Sequence, residues 1–167
     1  HKGIVYIRTT RNETPVIYDT SEEFPIGGSK VLKRSDNDVV TVVAAGITLH
    51  EALIAYEELE KEGLMVRVID LYSIKPIDSV TLYEAAHTTK AVVTVEDHCA
   101  EGGLGEAVKS ALSEHAVPVY SLAVGKMPKS GRPEELLDYE EISKRAIIKK
   151  VREICGLKYF NIIGKTK

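Results

Sequence analysis

The chain has 167 residues, 44% of them hydrophobic, and its 22 basic and 25 acidic residues give a net charge of −3. Charges of both signs are interspersed, which argues against a nucleic-acid-binding surface. No apolar run reaches the roughly 18–20 residues of a membrane span, and the first residues lack a signal-peptide pattern, so we expect a cytoplasmic protein with no membrane segment. Cys99 and Cys155 could form one disulfide, but a reduced pair is the better expectation in that compartment.

The first 36 residues have the composition of a strand followed by a linker. Residues 3–7 read Gly-Ile-Val-Tyr-Ile, which predicts a short buried strand without an upstream partner in this chain. Residues 9–36 are non-periodic, and Pro15 and Pro25 favour an extended path. We therefore expect residues 1–36 to hold the last strand of a preceding domain and an interdomain linker, in a chain that begins inside a larger parent.

Strands and helices alternate from residue 37 to the end. Continuous apolar runs predict strands covered on both faces, and helical spacing predicts the intervening helices. The first helix has a capping-box pattern at Thr48 and Glu51. The predicted fold class is α/β, with three helix/sheet/helix layers around a mostly parallel sheet in a domain of residues 37–167. The predicted strands are 39–45, 65–69, 91–95 and 119–124, and the main helices are 48–63, 78–88, 103–115 and 143–155. Residues 158–163 form a further apolar piece, an edge strand or a packed segment.

An acidic turn and a glycine-rich turn follow the third predicted strand. Glu96, Asp97 and His98 lie where ligands bind in parallel sheets, so they could be an acid/base or interface cluster. The alternative, which we favour, is a solvated turn whose carboxylates cap the next helix. The amides of residues 102–105 could likewise cradle an anion, but the spacing matches neither a dinucleotide nor a P-loop fingerprint, and close helix–strand packing is preferred.

The remaining polar candidates do not form a catalytic constellation. Arg11 follows the first predicted strand and could bind a phosphate or carboxylate, or be an ordinary surface arginine. The basic loop at Lys129 and Arg132 has the same two interpretations. His50 is expected to be exposed, and a Cys99 nucleophile is disfavoured because adjacent side chains such as that of His98 rarely face each other. The residues alone therefore predict an α/β domain without its own active centre.

Several separated segments resemble the C-terminal part of transketolases. These are Ile-Arg-Thr-Thr-Arg at 7–11, Ala-Gly-x-Thr-Leu-His-Glu-Ala-Leu within 42–53, the glycine-turn motif at 93–108 and Met-Pro-Lys-Ser-Gly-Arg-Pro at 127–133. The glycine motif is shared with other thiamine-diphosphate enzymes, including deoxyxylulose-phosphate synthases and beta subunits of 2-oxoacid dehydrogenases. The Thr-Leu-His-Glu segment and the Pro-Lys-Ser-Gly-Arg-Pro loop are closer to transketolase than to those relatives.

The resemblance implies a full enzyme of the pentose phosphate pathway that moves a two-carbon ketol unit between phosphorylated sugars. Thiamine diphosphate and a divalent metal, Mg or Ca, supply its chemistry, and the parent is expected to be a homodimer. The metal-binding Gly-Asp-Gly segment and the activating glutamate of the family have no match in this chain. The fragment is therefore expected to hold no catalytic, cofactor or metal residue, and to serve as a structural and dimerisation domain that is inactive alone.

One functional residue of the family maps onto this sequence. Arg11 matches the arginine that binds the sugar phosphate, with Thr10 in place of the usual serine, and Arg8 is the less suited alternative. Cys99 lies where relatives often have an aromatic residue. The alternatives are a non-catalytic interaction or regulatory module of a transketolase-like protein, a subunit of a split enzyme, or part of another thiamine-diphosphate enzyme.

Overall fold

A five-stranded sheet organises the residues that the computed structural model describes, which are 2–11 and 13–157. The strands lie in the order β1-β3-β2-β4-β5, with β1 antiparallel to β3 and all other neighbours parallel. The predicted α/β class with a mostly parallel sheet is therefore confirmed. The strands are β1 (Lys30–Lys33), β2 (Val40–Ala44), β3 (Val66–Asp70), β4 (Val92–Cys99) and β5 (Val119–Val124).

Helices cover both faces of the sheet. The helices are α1 (Ile47–Lys61), α2 (Ser79–Thr88), α3 (Leu104–Ala111), α4 (Pro133–Tyr139) and α5 (Lys144–Ile154). Residues of α1 and α5 pack on one face, and residues of α2 and α3 pack on the other. Among the described residues, no helix combines the length and the apolar character needed to cross a bilayer.

Neighbouring valines of the central strand explain the unbroken apolar runs. Val42 is 1% exposed and packs with α1 and α5, whereas Val43 is fully buried and packs with α2 and α3. Successive side chains of a strand point to opposite faces, so both must be apolar when helices cover both faces. Each such valine stabilises the fold by about 1.5–3 kcal/mol through burial.

The N-terminal region differs from its predicted form. Residues 3–7 form no strand, and Ile4 and Ile7 are 101% and 77% exposed. They find no neighbouring strand with which to pair among the described residues, in accord with the missing upstream partner noted above. Instead β1, within the predicted linker, forms an antiparallel edge of the sheet. Its sequence, Lys-Val-Leu-Lys, is half-buried and has only two apolar residues, which is too short a run to predict a strand. The division of the chain at residue 36 stays a prediction.

The capping box predicted at Thr48 is wrong. Helix α1 begins directly after Gly46, which adopts φ 61° as its N-cap. The Thr48 hydroxyl is buried two residues inside the helix, where it bonds the carbonyls of Ala45 at 3.0 Å and Val95 at 2.8 Å. The Glu51 carboxylate instead accepts from the backbone N–H of Lys144 at 2.7 Å. The tight glycine turn thus moves the helix start upstream of the predicted position. The predicted apolar piece at 158–163 lies outside the described residues.

Candidate functional site at the carboxyl edge of the sheet

The chain leaves the sheet in opposite directions at the carboxyl ends of adjacent strands. After β2 it enters α1 on one face, whereas after β3 and β4 it enters α2 and α3 on the other face. Such a reversal opens a crevice beyond the strand ends, and ligands of open α/β sheets bind there. The carboxyl end of β2 is therefore the place to look for function.

The N-terminal residues cross this edge of the sheet. We call residues 2–11 and 13–29 the strap. Arg8 Nη2 donates to the carbonyl oxygen of Asp97 at 2.6 Å and to its Oδ2 at 3.3 Å. Two residues later the methyl group of Thr10 faces Gly46, where an added Cβ would lie 3.7 Å from it. The strap thus contacts the ends of both β4 and β2.

The two arginines of the strap differ in their partners. Arg8 is bound to Asp97, with side chains 53% and 49% exposed. Arg11 is exposed, and no hydrogen bond or ion pair joins it to any residue within 2–11 or 13–157. An unpaired guanidinium keeps its five donors available for an anion. The assignment of Arg11 to a sugar phosphate stays a prediction.

The carboxylate of Glu96 occupies the N-terminus of α3. Glu96 is 5% exposed, and its Oε2 and Oε1 accept from the amides of Leu104 at 2.6 Å and Gly105 at 2.8 Å. The preferred interpretation of a helix-capping carboxylate is therefore confirmed, although the side chain is buried rather than solvated. Because this internal anion satisfies the helix amides, the turn does not cradle an external one.

The glycines of the turn leave room for this carboxylate. A Cβ at Gly103 would collide with Glu96 Oε2, and one at Gly105 would lie 2.6 Å from Ser121 Oγ and 2.9 Å from Glu96 Oε1. Neither residue has a positive φ, so close packing rather than backbone conformation requires glycine. The predicted close helix–strand packing is confirmed.

His98 and Cys99 are closer than the sequence argument allowed. Cys99 Sγ lies 3.4 Å from His98 Nδ1, so the expectation that these side chains do not meet is wrong. Nδ1 also lies 2.8 Å from the Cys99 carbonyl oxygen, and this acceptor requires Nδ1 to carry the proton. That nitrogen cannot then accept the thiol proton, so the contact does not form a nucleophile–base dyad.

A cleft of about 280 Å³ lies beneath the strap beside the end of β3. Its polar wall includes Asp70, which is 5% exposed and accepts from the Tyr18 hydroxyl at 2.6 Å. Burial raises the pKa of Asp70, while the Tyr18 bond and the nearby His50 act in the opposite direction. Burial and the Asp70 carboxylate raise the pKa of Tyr18 far above its ordinary value. His50 is half-buried in this wall rather than exposed as predicted.

The later part of the strap is held by contacts that the sequence analysis missed. Phe24 packs edge-on between Tyr18 and Tyr72, with ring centroids 4.9 and 5.0 Å away. The Ser29 hydroxyl donates to Asp78 at 2.8 Å, and Asp78 also caps α2 through the amide of Thr81. Burial opposes ionisation of Asp78, but the hydrogen bonds of Thr81 and Ser29 lower its pKa overall. Tyr18 and Phe24, two aromatic residues in a segment without helix or strand periodicity, were the available signal.

The basic loop after β5 does not converge with these residues. Lys129 lies over the ring of Tyr139, 4.5 Å from its centroid, and the Arg132 amide donates to Glu135 at 3.3 Å at the start of α4. Both cysteines are free thiols, as expected. Within the described residues no group of three or more His, Cys, Asp or Glu could hold a metal ion.

These features define an open α/β domain. Its N-terminal segment crosses the carboxyl edge of the sheet, which is where ligands bind in such folds. Comparison with known proteins places it within a family. Residues 29–147 match the family model described as "Transketolase, C-terminal domain". The chain belongs to this transketolase C-terminal domain family.

Similar proteins include two longer relatives and one chain of a solved structure. Transketolase-like protein 2 of Mus musculus is 53% identical over 154 residues, and transketolase of Homo sapiens is 48% identical over 153 residues. These matches cover 91% and 90% of the chain but only 25% of each relative. A solved structure described as "Split gene transketolase, inactive beta4 tetramer" has a TM-score of 0.79 and 38% identity, over 89% of this chain and 48% of that one.

Proposed function

We propose that this chain is the C-terminal part of a transketolase, which transfers a two-carbon ketol unit between phosphorylated sugars. Within that enzyme the chain provides a structural domain, and its strap carries a substrate-binding arginine to the junction with the preceding domain. The proposed parent is a cytoplasmic homodimer that uses thiamine diphosphate and Mg or Ca. The similarity to transketolases supports the assignment to this class of enzyme, and the match to only a quarter of each relative supports a part of a longer protein.

The observation that carries the proposal is the different bonding of the two strap arginines. Arg8 is neutralised by Asp97, whereas Arg11 lies exposed beside the carboxyl edge and has no partner among the described residues. A phosphate group would pair with the free guanidinium through charge-assisted hydrogen bonds. Arg11 is therefore the residue we assign to the sugar phosphate.

The described residues do not fit the cofactor or its metal. The helix N-terminus that could bind a diphosphate is already filled by Glu96, and the described parts of the chain contain no group of three or more His, Cys, Asp or Glu side chains that could hold a metal ion. The cofactor would be held by other parts of the parent, so the isolated chain is proposed to be inactive. The similar split-gene chain is itself described as an inactive tetramer.

The test uses the full-length protein and its Arg11→Ala variant. Replacing Arg11 removes a charge-assisted contact of roughly 1.5–3 kcal/mol and should raise KM for phosphorylated donors about tenfold or more. KM for a ketol donor without phosphate should stay unchanged. Arg34→Ala, which removes an exposed arginine paired with Glu84, is the matched control. An unchanged KM for phosphorylated donors would remove Arg11 from the site.

The second candidate is a non-catalytic interaction or regulatory module of a transketolase-like protein; the chain is 53% identical to a relative named transketolase-like protein 2 and 48% identical to a transketolase. Turnover by the full-length protein with thiamine diphosphate and Mg²⁺ distinguishes the two. Turnover supports the enzyme, and its complete absence in a correctly folded, cofactor-loaded protein supports the non-catalytic module.

A further inference from the structure

We infer that the Glu96–Asp97 end of β4 is a fixed support that positions Arg11 for the substrate phosphate, acting through Arg8. The inference rests on the proposed function. It gives the acidic and glycine-rich turn, which has no catalytic part in that proposal, a role in substrate binding. Arg8 and Asp97 are positioning residues, and neither contacts the substrate.

The support begins with the burial of Glu96. Its carboxylate accepts two amide hydrogen bonds from the first turn of α3. The backbone of Gly103 and Gly105 lies so close to this carboxylate that neither position has space for a Cβ. The turn is therefore packed directly against the Glu96 side chain. These hydrogen bonds join the Glu96 side chain, on β4, to the first turn of α3. Asp97, the next residue of β4, therefore has a fixed backbone position.

The strap is attached to this fixed point three residues before Arg11. Arg8 donates both to the Asp97 carbonyl and to its carboxylate, and Thr10 faces Gly46 at the end of β2. Arg8 and Thr10 both contact the sheet edge, whereas the next residue along the chain, Arg11, is exposed. The contacts on Arg8 and Thr10 therefore fix the backbone from which the Arg11 side chain extends into solvent.

Positioning and simple electrostatics predict opposite effects for Asp97. A carboxylate near a phosphate site repels the ligand, so electrostatics alone predicts that removing Asp97 tightens the binding of phosphorylated sugars. If Asp97 instead holds the strap, its removal loosens Arg11 and weakens that binding. The sign of the change therefore separates the two explanations.

The experiment compares Arg8→Met and Asp97→Ala in the full-length, cofactor-loaded protein. The measurements are KM for a phosphorylated ketose donor and KM for a ketol donor without phosphate. We expect KM for the phosphorylated donor to rise roughly three- to tenfold in Arg8→Met. This rise is smaller than that of Arg11→Ala, because Arg11 is misplaced rather than removed. Asp97→Ala should raise it less, because the backbone carbonyl still accepts from Arg8. KM for the phosphate-free donor should stay within about twofold in both variants.

Matched controls come from a similar pair elsewhere on the surface. Arg34 and Glu84 are joined at 2.9 Å with side chains 52% and 54% exposed. Arg34→Met and Glu84→Ala should leave both KM values unchanged. Arg8 and Asp97 are about as exposed as Arg34 and Glu84. Their variants therefore remove no core packing and are expected to fold.

Three results would overturn the inference while leaving Arg11 in the site, provided that Arg11→Ala shows its phosphate-specific defect. The first is a parental KM in Arg8→Met, and the second is an equal rise for both donors, which indicates a general structural defect. The third is a lower KM for the phosphorylated donor in Asp97→Ala. If Arg11→Ala itself has no phosphate-specific effect, the proposed function fails, and the inference fails with it.

Discussion

Tyr18 in the strap and Asp70 at the end of β3 are joined by a 2.6 Å hydrogen bond across 52 positions of sequence. The bond satisfies the Asp70 carboxylate, which lies between the sheet and the strap and is only 5% exposed. The strap is therefore attached to the sheet edge by a contact whose loss would leave a buried charge without this donor.

Removing the Tyr18 hydroxyl should destabilise the chain. In Tyr18→Phe the aromatic contact with Phe24 can persist, but Asp70 loses its donor, and we expect a loss of about 1–3 kcal/mol in the free energy of unfolding. Urea unfolding measures this change. Tyr72→Phe is the control, because its hydroxyl donates to the Pro25 carbonyl at 3.1 Å in an exposed position. Equal losses in the two variants would show that burial of Asp70 is not the cause.

The ionisation of Asp70 should make stability depend on pH. Its folded pKa is raised above the ordinary value of 3.8, chiefly by burial. The stabilising contribution of this group is therefore complete below its unfolded pKa and is lost as pH rises through the folded pKa. Asp70→Asn does not titrate, so the stability of the variant relative to the parent should increase as the pH rises above about 4, the ordinary pKa of an aspartate. Urea unfolding at several pH values tests this, and a relative stability that is flat or falls with pH would contradict it.

The sheet was predictable because its apolar runs reflect burial on both faces. Val42 and Val43 are both apolar because helices cover them on opposite faces of the sheet. By contrast, β1 is a half-buried edge strand of four residues, of which only Val31 and Leu32 are apolar, so the run was too short to mark it. The start of α1 was misplaced because Gly46, rather than the Thr48 side chain, ends the preceding turn.

The candidate site was only partly predictable for a similar reason. Glu96 could be identified as a capping carboxylate because the helix that it caps follows within a few residues. The Arg8–Asp97 and Tyr18–Asp70 contacts join residues 89 and 52 positions apart, and neither separation leaves a periodic signal. Arg11 was singled out by a family resemblance, which supplies what local sequence patterns cannot.

The packing around Gly105 should make it intolerant of any side chain. A Cβ there would lie 2.6 Å from Ser121 Oγ and 2.8 Å from Thr94 Oγ1, so Gly105→Ala should destabilise the chain by about 1–3 kcal/mol through overpacking. Gly125→Ala is the matched control, since its nearest neighbour would be the Ala123 carbonyl at 3.9 Å. Thermal unfolding should separate the two variants. A Gly105→Ala variant as stable as Gly125→Ala would show that the turn can relax around a methyl group.

The buried ion pair of Arg67 and Asp38 should be strongly asymmetric in its energetics. The two side chains are 4% and 2% exposed, with Arg67 Nε 3.4 Å from Asp38 Oδ2. Arg67→Met leaves the Asp38 carboxylate buried without a cation, and we expect a loss of about 3–5 kcal/mol in the free energy of unfolding.

A second substitution separates the charge from the packing of that pair. Arg67→Met combined with Asp38→Asn removes the orphaned charge, and its stability should recover by a substantial part of the single-variant loss because breaking one partner costs more than replacing both. Arg34→Met, from an exposed pair, should change stability by less than about 1 kcal/mol. Urea unfolding of all four proteins, including the parent, measures these differences. If the double variant were less stable than Arg67→Met alone, the loss would come from missing hydrogen bonds and packing rather than from the unpaired carboxylate.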